Sequence, residues 1–515
     1  MKLKRPSLVS KGTLTRLLQA AGESWKRCDF QQAIELMERA HRLDPANPGL
    51  LLDLGRLYGL RYDYANAERC FEQAVRIAPK KSQALVAAGR QSREFLNQSM
   101  AEIYFRRALE QKDVLPETII GLAEIYERTR RSEEAADLVA RALQLNAACS
   151  AALLLRAKLE RQAGRMDQAE KILRDIPDKA EPVLRLRGLY ELGAILDRQG
   201  RYDEAMTAFI EAKAPLRLQA DRPMAELKII RTRIKHVVEN VSADTLHHWF
   251  ASANEFKPLH KLALLGGHPR SGTTLLEQVL DAHSDIISAE ETEIFYNDAY
   301  GPLLRGLPDD TAMYSALTTA TPDKLQQSRQ NYFRSMELTL GKTVAEKLLI
   351  DKNPSYTFLI PALIRIFPEV KLLITLRDPR DVVLSCFMQN LPLNHASAAW
   401  LTLEGATEEY TALMGTWQNI APRILNPYLE IRYEDMVNDL EAVARRALGF
   451  LEVPWDERVL GFDEHARQKV VRSPTYAEVT KPVFKTAVGR WRHYQKYLEP
   501  HLAKLEPFVK AFGYE

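Results

Sequence analysis

Small apolar residues recur along the first two-fifths of the chain at a fixed interval. Ala33, Ala67, Ala101, Ala135 and Ala169 stand 34 residues apart, and Ala205 follows after 36. Seven residues after each comes a second small residue, at Ala40, Ala74, Ala108, Ala142 and Ala212, with Ile176 in the fifth unit. Residues seven apart share one helix face about two turns apart. Each unit therefore predicts a helix whose alanines admit a close neighbour. Asp29, Asp63 and Asn97, four residues before the first three alanines, predict helix N-caps. Gly164 and Gly200 predict turns in later units, and Pro45 and Pro79 predict the ends of two second helices. Six paired-helix units over residues 15–218 predict an all-α solenoid. Between Pro215 and Pro258 the period is lost, although Met224–Val241 still predicts a helix that caps the last unit.

Beyond Lys261 the pattern changes to short apolar runs separated by longer amphipathic ones. Leu262–Leu265, Leu348–Ile350, Leu372–Leu376 and Tyr428–Ile431 predict strands; Gly272–Asp281, Ser355–Phe367 and Asp378–Cys386 predict helices. Such alternation implies a parallel α/β sheet that binds ligands at the carboxyl ends of its strands. The expected organisation is multidomain: an all-α repeat solenoid over residues 1–240 and an α/β domain over 258–515.

The candidate chemistry lies just past those strand ends. In Leu264–Leu276 a strand runs through a Gly-bounded loop into an apolar helix, which aims backbone N–H groups at one point. The spacing Gly267-x4-Gly272-Thr273-Thr274 matches a nucleoside-triphosphate loop, except that Thr273 stands where Lys is required and Arg270 brings a cation inside the loop. That argues against ATP or GTP hydrolysis and for another phosphate ligand. Arg377 follows a strand, with Ser385 eight residues on. Asp378 and Asp381 read as helix caps, Arg380 as a surface charge and Trp491 as core packing. Glu290-Glu291 follows the loop helix, and Asp351-Lys352-Asn353-Pro354 follows another strand.

The 34-residue paired-helix period is the signature of tetratricopeptide repeats, which implies a groove able to hold a polypeptide substrate or partner. Pro269-Arg270-Ser271-Gly272-Thr273-Thr274 resembles the 5′-phosphosulfate loop of sulfotransferases, which use 3′-phosphoadenosine-5′-phosphosulfate (PAPS). With Asp281-Ala282-His283 and Glu290-Glu291-Thr292 downstream, the domain is most similar to the protein-tyrosine branch. The resemblance implies that Pro269, Arg270, Ser271, Gly272, Thr273 and Thr274 bind the phosphosulfate, and that Arg377 and Ser385 bind the nucleotide 3′-phosphate. It further implies that Ser473 and Arg490 contact the 3′-phosphate side and Tyr433 the nucleotide. A phenol with a pKa near 10 needs a base, and the resemblance assigns that role to Glu291 rather than to Glu290 or to His268. Arg270 and Lys352 would offset charge on the leaving group; no metal is then needed. Two departures stand out: Arg490 replaces a Lys of the tyrosine enzymes, and Glu293 replaces an Arg that engages acidic peptide.

The expected activity is sulfuryl transfer from PAPS to an acceptor hydroxyl, best matched by protein tyrosine. The alternatives are a carbohydrate, lipid or small-molecule acceptor, or a non-catalytic repeat scaffold with a nucleotide-binding domain. Composition narrows the remaining choices. A net charge of +3 over 515 residues does not suggest a nucleic-acid partner. No apolar run reaches the ~18 residues of a membrane span. Four widely spaced cysteines without a CxxC pair read as reduced thiols. The expected setting is cytoplasmic.

Overall fold

The computed structural model describes residues 8–514 apart from Cys28, 177–179, 258–259, 306, 308–311, 468, 470–477, 481–482 and 484. The chain divides into two compact units, Met1–Glu191 and Leu192–Glu515.

The first unit consists of helices alone among the described residues: Leu8–Lys26, Phe30–Leu43, Pro48–Leu60, Tyr64–Ile77, Lys81–Glu94, Gln98–Leu109, Pro116–Arg128, Ser132–Leu145, Ser150–Gln162, Met166–Arg174 and the start of Pro182–Arg198. The periodic alanines are its packing points. Ala33, Ala40, Ala67, Ala74, Ala101, Ala108, Ala135 and Ala169 have no exposed surface. Asp29, Asp63 and Asn97 cap their helices, accepting from the backbone N–H of Gln32, Asn66 and Met100. The turn inside each later pair is left-handed, at Tyr62, Leu96, Arg130, Gly164 and Gly200, with φ between 60° and 82°. Only the last two are glycines, so the recurring turn is hidden in the first three pairs.

The second unit begins inside the helix Pro182–Arg198 and continues through Tyr202–Arg217, Asp221–Asn240 and Ala243–Ala251. These helices group by contact with the α/β unit; the expected solenoid, closed by a capping helix at residue 240, took in the first three of them and not Ala243–Ala251. Side-chain bonds explain the difference. Arg231 pairs with Glu409, Arg217 donates to the Leu401 carbonyl, and Arg423 donates to the carbonyls of Val238 and Val241.

Five parallel strands, β1 Lys261–Gly267, β2 Ile286–Glu290, β3 Leu348–Lys352, β4 Lys371–Leu376 and β5 Tyr428–Arg432, form one sheet in the order β2-β3-β1-β4-β5. Four of these were expected; β2 was not. β1 is central, so its loop opens at the point where the connections diverge to either side, the usual ligand position in such sheets. The strand interiors are apolar: Ala263, Leu264, Leu265, Leu349, Ile350, Leu372, Leu373 and Ile374 are fully buried. The helix Thr273–Asp281 follows β1, and Pro379–Phe387 follows β4. Residues 355–367, expected as one helix, form a 3-10 turn Pro354–Leu359 and a short helix Ile360–Ile366.

Candidate active site

The loop between β1 and the helix Thr273–Asp281 is braced from beneath by hydroxyls. Thr357 accepts from the Gly267 N–H and donates to its carbonyl, both at 2.8 Å. Ser271 donates to the His268 carbonyl at 2.6 Å and lies 2.6 Å from the Thr375 hydroxyl. The Ser271 side chain thus turns inward and fixes the loop shape. His268 is also internal: its Nδ1 lies 2.7 Å from the Pro269 carbonyl, and burial pushes its pKa down to about 4. Gly267 and Gly272 have φ of 123° and 100°. A Cβ at Gly267 would stand 2.4 Å from the Thr375 carbonyl, and one at Gly272 would stand 2.7 Å from the Tyr433 ring. Gly272 caps the helix and, as glycine, supplies no side-chain oxygen to the first-turn N–H groups.

Arg270 adopts φ 74°. Its Nε donates to the Ser385 hydroxyl at 3.2 Å, and its carbonyl accepts from Arg377 at 3.1 Å. The Arg377 guanidinium lies 4.7 Å from the Tyr433 ring centre, while its Nε is buried with no hydrogen-bond partner among the described residues. Loop, β4 end, following helix and β5 end therefore meet at Arg270, Arg377, Ser385 and Tyr433.

On the β2–β3 side the register decides the geometry. Glu290 pairs with Lys352 across the strands, and the Glu291 N–H donates to the Lys352 carbonyl at 2.7 Å. Glu291 takes φ 48°. Its carboxylate receives the Lys352 ammonium at 2.7 Å and keeps 42% of its side chain exposed. Lys352 has no exposed surface, so it reaches the cavity through Glu291 rather than facing it directly. Glu277 and Glu290 lie 3.5 Å from the same ammonium. Burial alone would lower the Lys352 pKa, but Glu277, Glu291 and Glu290 together hold it above its ordinary value. Burial pushes Glu277 up to about 7 against the pull of Lys352. The segment after Glu291 is clamped by Asn353 and Tyr356, which both donate to the Thr292 carbonyl.

One cavity of about 980 Å³ gathers these parts. Its lining includes Pro269, Arg270, Gly272, Thr273, Thr274, Glu291, Arg377, Ser385, Tyr433 and Arg490. Ser473 lies outside the described residues, with Arg472, Lys481 and Pro482.

Two expectations are corrected. Arg380 is not a surface charge: it is buried, pairs with Asp378 at 2.7 Å and stacks 4.0 Å from the Trp491 ring centre. Asp381 is more than a helix cap, since its carboxylate accepts from the Gly489 and Trp491 N–H groups at 2.7 and 2.8 Å and fastens the segment carrying Arg490. Asp378 does cap its helix, accepting from the Arg380 N–H. Glu277 was overlooked, although its place four residues after Thr273 and three before Leu280 puts it on the buried helix face.

The sulfotransferase family profile matches residues 263–457, and tetratricopeptide-repeat profiles match 25–89, 120–183 and 186–213. An uncharacterized protein of Aquifex aeolicus is 23% identical over 328 residues, or 62% of this chain; the match spans only 41% of that protein's length. Protein-tyrosine sulfotransferase 1 of Danio rerio is 25% identical over 262 residues, covering 49% of this chain and 72% of that protein. The sulfotransferase domain of the Synechococcus PCC 7002 olefin synthase superposes with a TM-score of 0.34 at 23% identity, covering 49% of this chain and 97% of that one. The chain thus carries tetratricopeptide repeats in its N-terminal part and a sulfotransferase-family domain in its C-terminal part.

Proposed function

We propose that the chain transfers the sulfuryl group of PAPS to an acceptor hydroxyl, with tyrosine in a polypeptide as the leading acceptor. The observation that carries this reading is the convergence, in one cavity, of the β1 loop with Arg377, Ser385 and the exposed carboxylate of Glu291. A doubly phosphorylated nucleotide suits the donor set. Among the described residues Gly272 gives the helix start no side-chain cap and the Arg377 Nε has no hydrogen-bond partner, and Gly272 leaves space where a side chain would collide with Tyr433.

In this reading Thr273, Thr274 and the helix N–H groups hold the phosphosulfate, with Arg270 beside them. Arg377, Ser385 and Arg490 hold the 3′-phosphate, and Tyr433 contacts the nucleotide; Ser473 is proposed for the 3′-phosphate side. The acceptor oxygen bonds to sulfur as the bond from sulfur to the donor phosphate oxygen breaks, and the acceptor proton passes to Glu291. Lys352 holds Glu291 in place, while Arg270 stabilises the departing bisphosphate. Tetratricopeptide repeats generally mediate protein–protein contacts, and here they would bind the polypeptide acceptor or a partner. Glu293 favours a second reading at the acceptor alone: a negative charge two residues after the proposed base suits a neutral hydroxyl, on carbohydrate, lipid or small molecule, better than an acidic peptide.

The test is metal-free calorimetry of 3′-phosphoadenosine-5′-phosphate (PAP) against ATP and AMP. Binding that requires the 3′-phosphate is expected. A preference for ATP with magnesium would overturn the reading. Labelled PAPS offered to peptide, carbohydrate and phenol acceptors then separates the acceptor classes.

A further inference from the structure

Part of the cavity wall is built by the last helical repeat. The repeat profile over 186–213 spans the end of the helix Pro182–Arg198 and most of Tyr202–Arg217, and three of its residues, Asp197, Arg198 and Tyr202, line the cavity. Asp197 grips Arg490 with both carboxylate oxygens. The Arg490 Nε lies 3.1 Å from one and a terminal nitrogen 2.8 Å from the other. The first oxygen also accepts from the Tyr494 hydroxyl at 2.7 Å. Tyr202 stacks on His493 with ring centres 4.3 Å apart and meets Tyr494 edge-on at 5.4 Å. The next residue, Asp203, accepts from the Tyr497 hydroxyl at 3.0 Å and pairs with Lys496. The segment Arg490–Tyr497 is therefore fastened to the repeat along its whole length.

This arrangement has a chemical consequence for Arg490. A guanidinium carries five N–H groups in a rigid fork. Asp197 engages one edge of the fork, the Tyr494 hydroxyl also meets the guanidinium, and Arg490 lines the cavity, where its outer edge can meet a second anion. A long side chain that is already oriented loses less freedom when it binds. We propose that Asp197 is a positioning residue for the donor site: it holds Arg490 in the orientation that receives the nucleotide 3′-phosphate, so the last repeat takes part in donor selection. This inference rests on the reading of the cavity as a PAPS site.

The test uses the full chain and calorimetric titration with PAP and with AMP, which lacks the 3′-phosphate. D197A should weaken PAP binding about fivefold or more and leave AMP binding unchanged. The same substitution in an R490A background should add nothing. D197N keeps the size and one acceptor for Tyr494, and it carries the test with the same sign if D197A does not fold. Unchanged or tighter PAP binding overturns the inference, because Asp197 would then be inert or a competitor for Arg490. Equal loss for PAP and AMP also overturns it, since a structural role would not single out the 3′-phosphate. A wild-type protein that binds PAP no better than AMP instead removes the donor-site reading itself.

Discussion

Arg56 and Glu94 pair on the surface of the first unit with 39% and 44% of their side chains exposed, whereas Lys352 and Glu277 pair in the second with none. The contrast is one of degree. In the first unit the interior is alanine, leucine and aromatic, and among the described residues each ion pair keeps at least one partner partly exposed, as Lys158 does beside the buried Glu127. In the second, Lys352, Asp351, Arg329 and Asp381 are all buried, with Lys352 and Asp381 beside the cavity. Exposed pairs contribute little because water competes for each partner. Buried ones depend on their partners, since removing one leaves an uncompensated charge in a low dielectric. The helical unit therefore owes its stability to shape, and the α/β unit stakes part of its stability on the same charges that serve its chemistry.

The comparison can be broken in order of expected effect. Lys352→Ala should cost about 3–5 kcal/mol in denaturant unfolding and abolish turnover, because three carboxylates lose their shared cation. Five of the six tryptophans, Trp249, Trp400, Trp417, Trp455 and Trp491, lie in the second unit and Trp25 in the first, so fluorescence of a Trp25→Phe background reads the second unit alone. A loss below about 1 kcal/mol would erase the contrast. Glu291→Ala should lower kcat at least ~100-fold with donor affinity largely kept, read by steady-state kinetics and PAP titration. Wild-type turnover would remove Glu291 from the mechanism. Ala101→Leu, an overpacking change in the helical unit, should cost about 1–3 kcal/mol by circular dichroism melting and leave donor affinity unchanged. Arg107→Ala, which breaks an exposed pair with Glu72, should cost no more than about 1 kcal/mol. A larger loss would mean that charge matters in the helical unit too.

What could be read from the sequence was local. The alanine interval, the caps at Asp29, Asp63 and Asn97 and the loop Gly267–Thr274 each fit within one or two elements, and spacing alone exposes them. What escaped depends on distant partners. Asp381 and Arg380 look like ordinary first-turn residues until Gly489 and Trp491 arrive from more than a hundred positions away. Asp197 is an unremarked polar residue of a repeat until Arg490 meets it. β2 was missed because Ser288 and Glu290 interrupt it, which leaves Ile286-Ile287 as its longest apolar run. Tyr62, Leu96 and Arg130 hide a turn that glycine would have announced.

The left-handed backbone at those three turns recurs at Arg270 and Glu291, with different stakes. A side chain forced into that conformation costs about 1–2 kcal/mol relative to glycine. Directed evolution for heat tolerance alone would find glycine attractive at all five positions. At the three turns such a choice would leave the proposed chemistry untouched. At positions 270 and 291 it would yield a hardier protein stripped of a loop cation and of the proposed base, so a library screened only by melting temperature would enrich for inert variants.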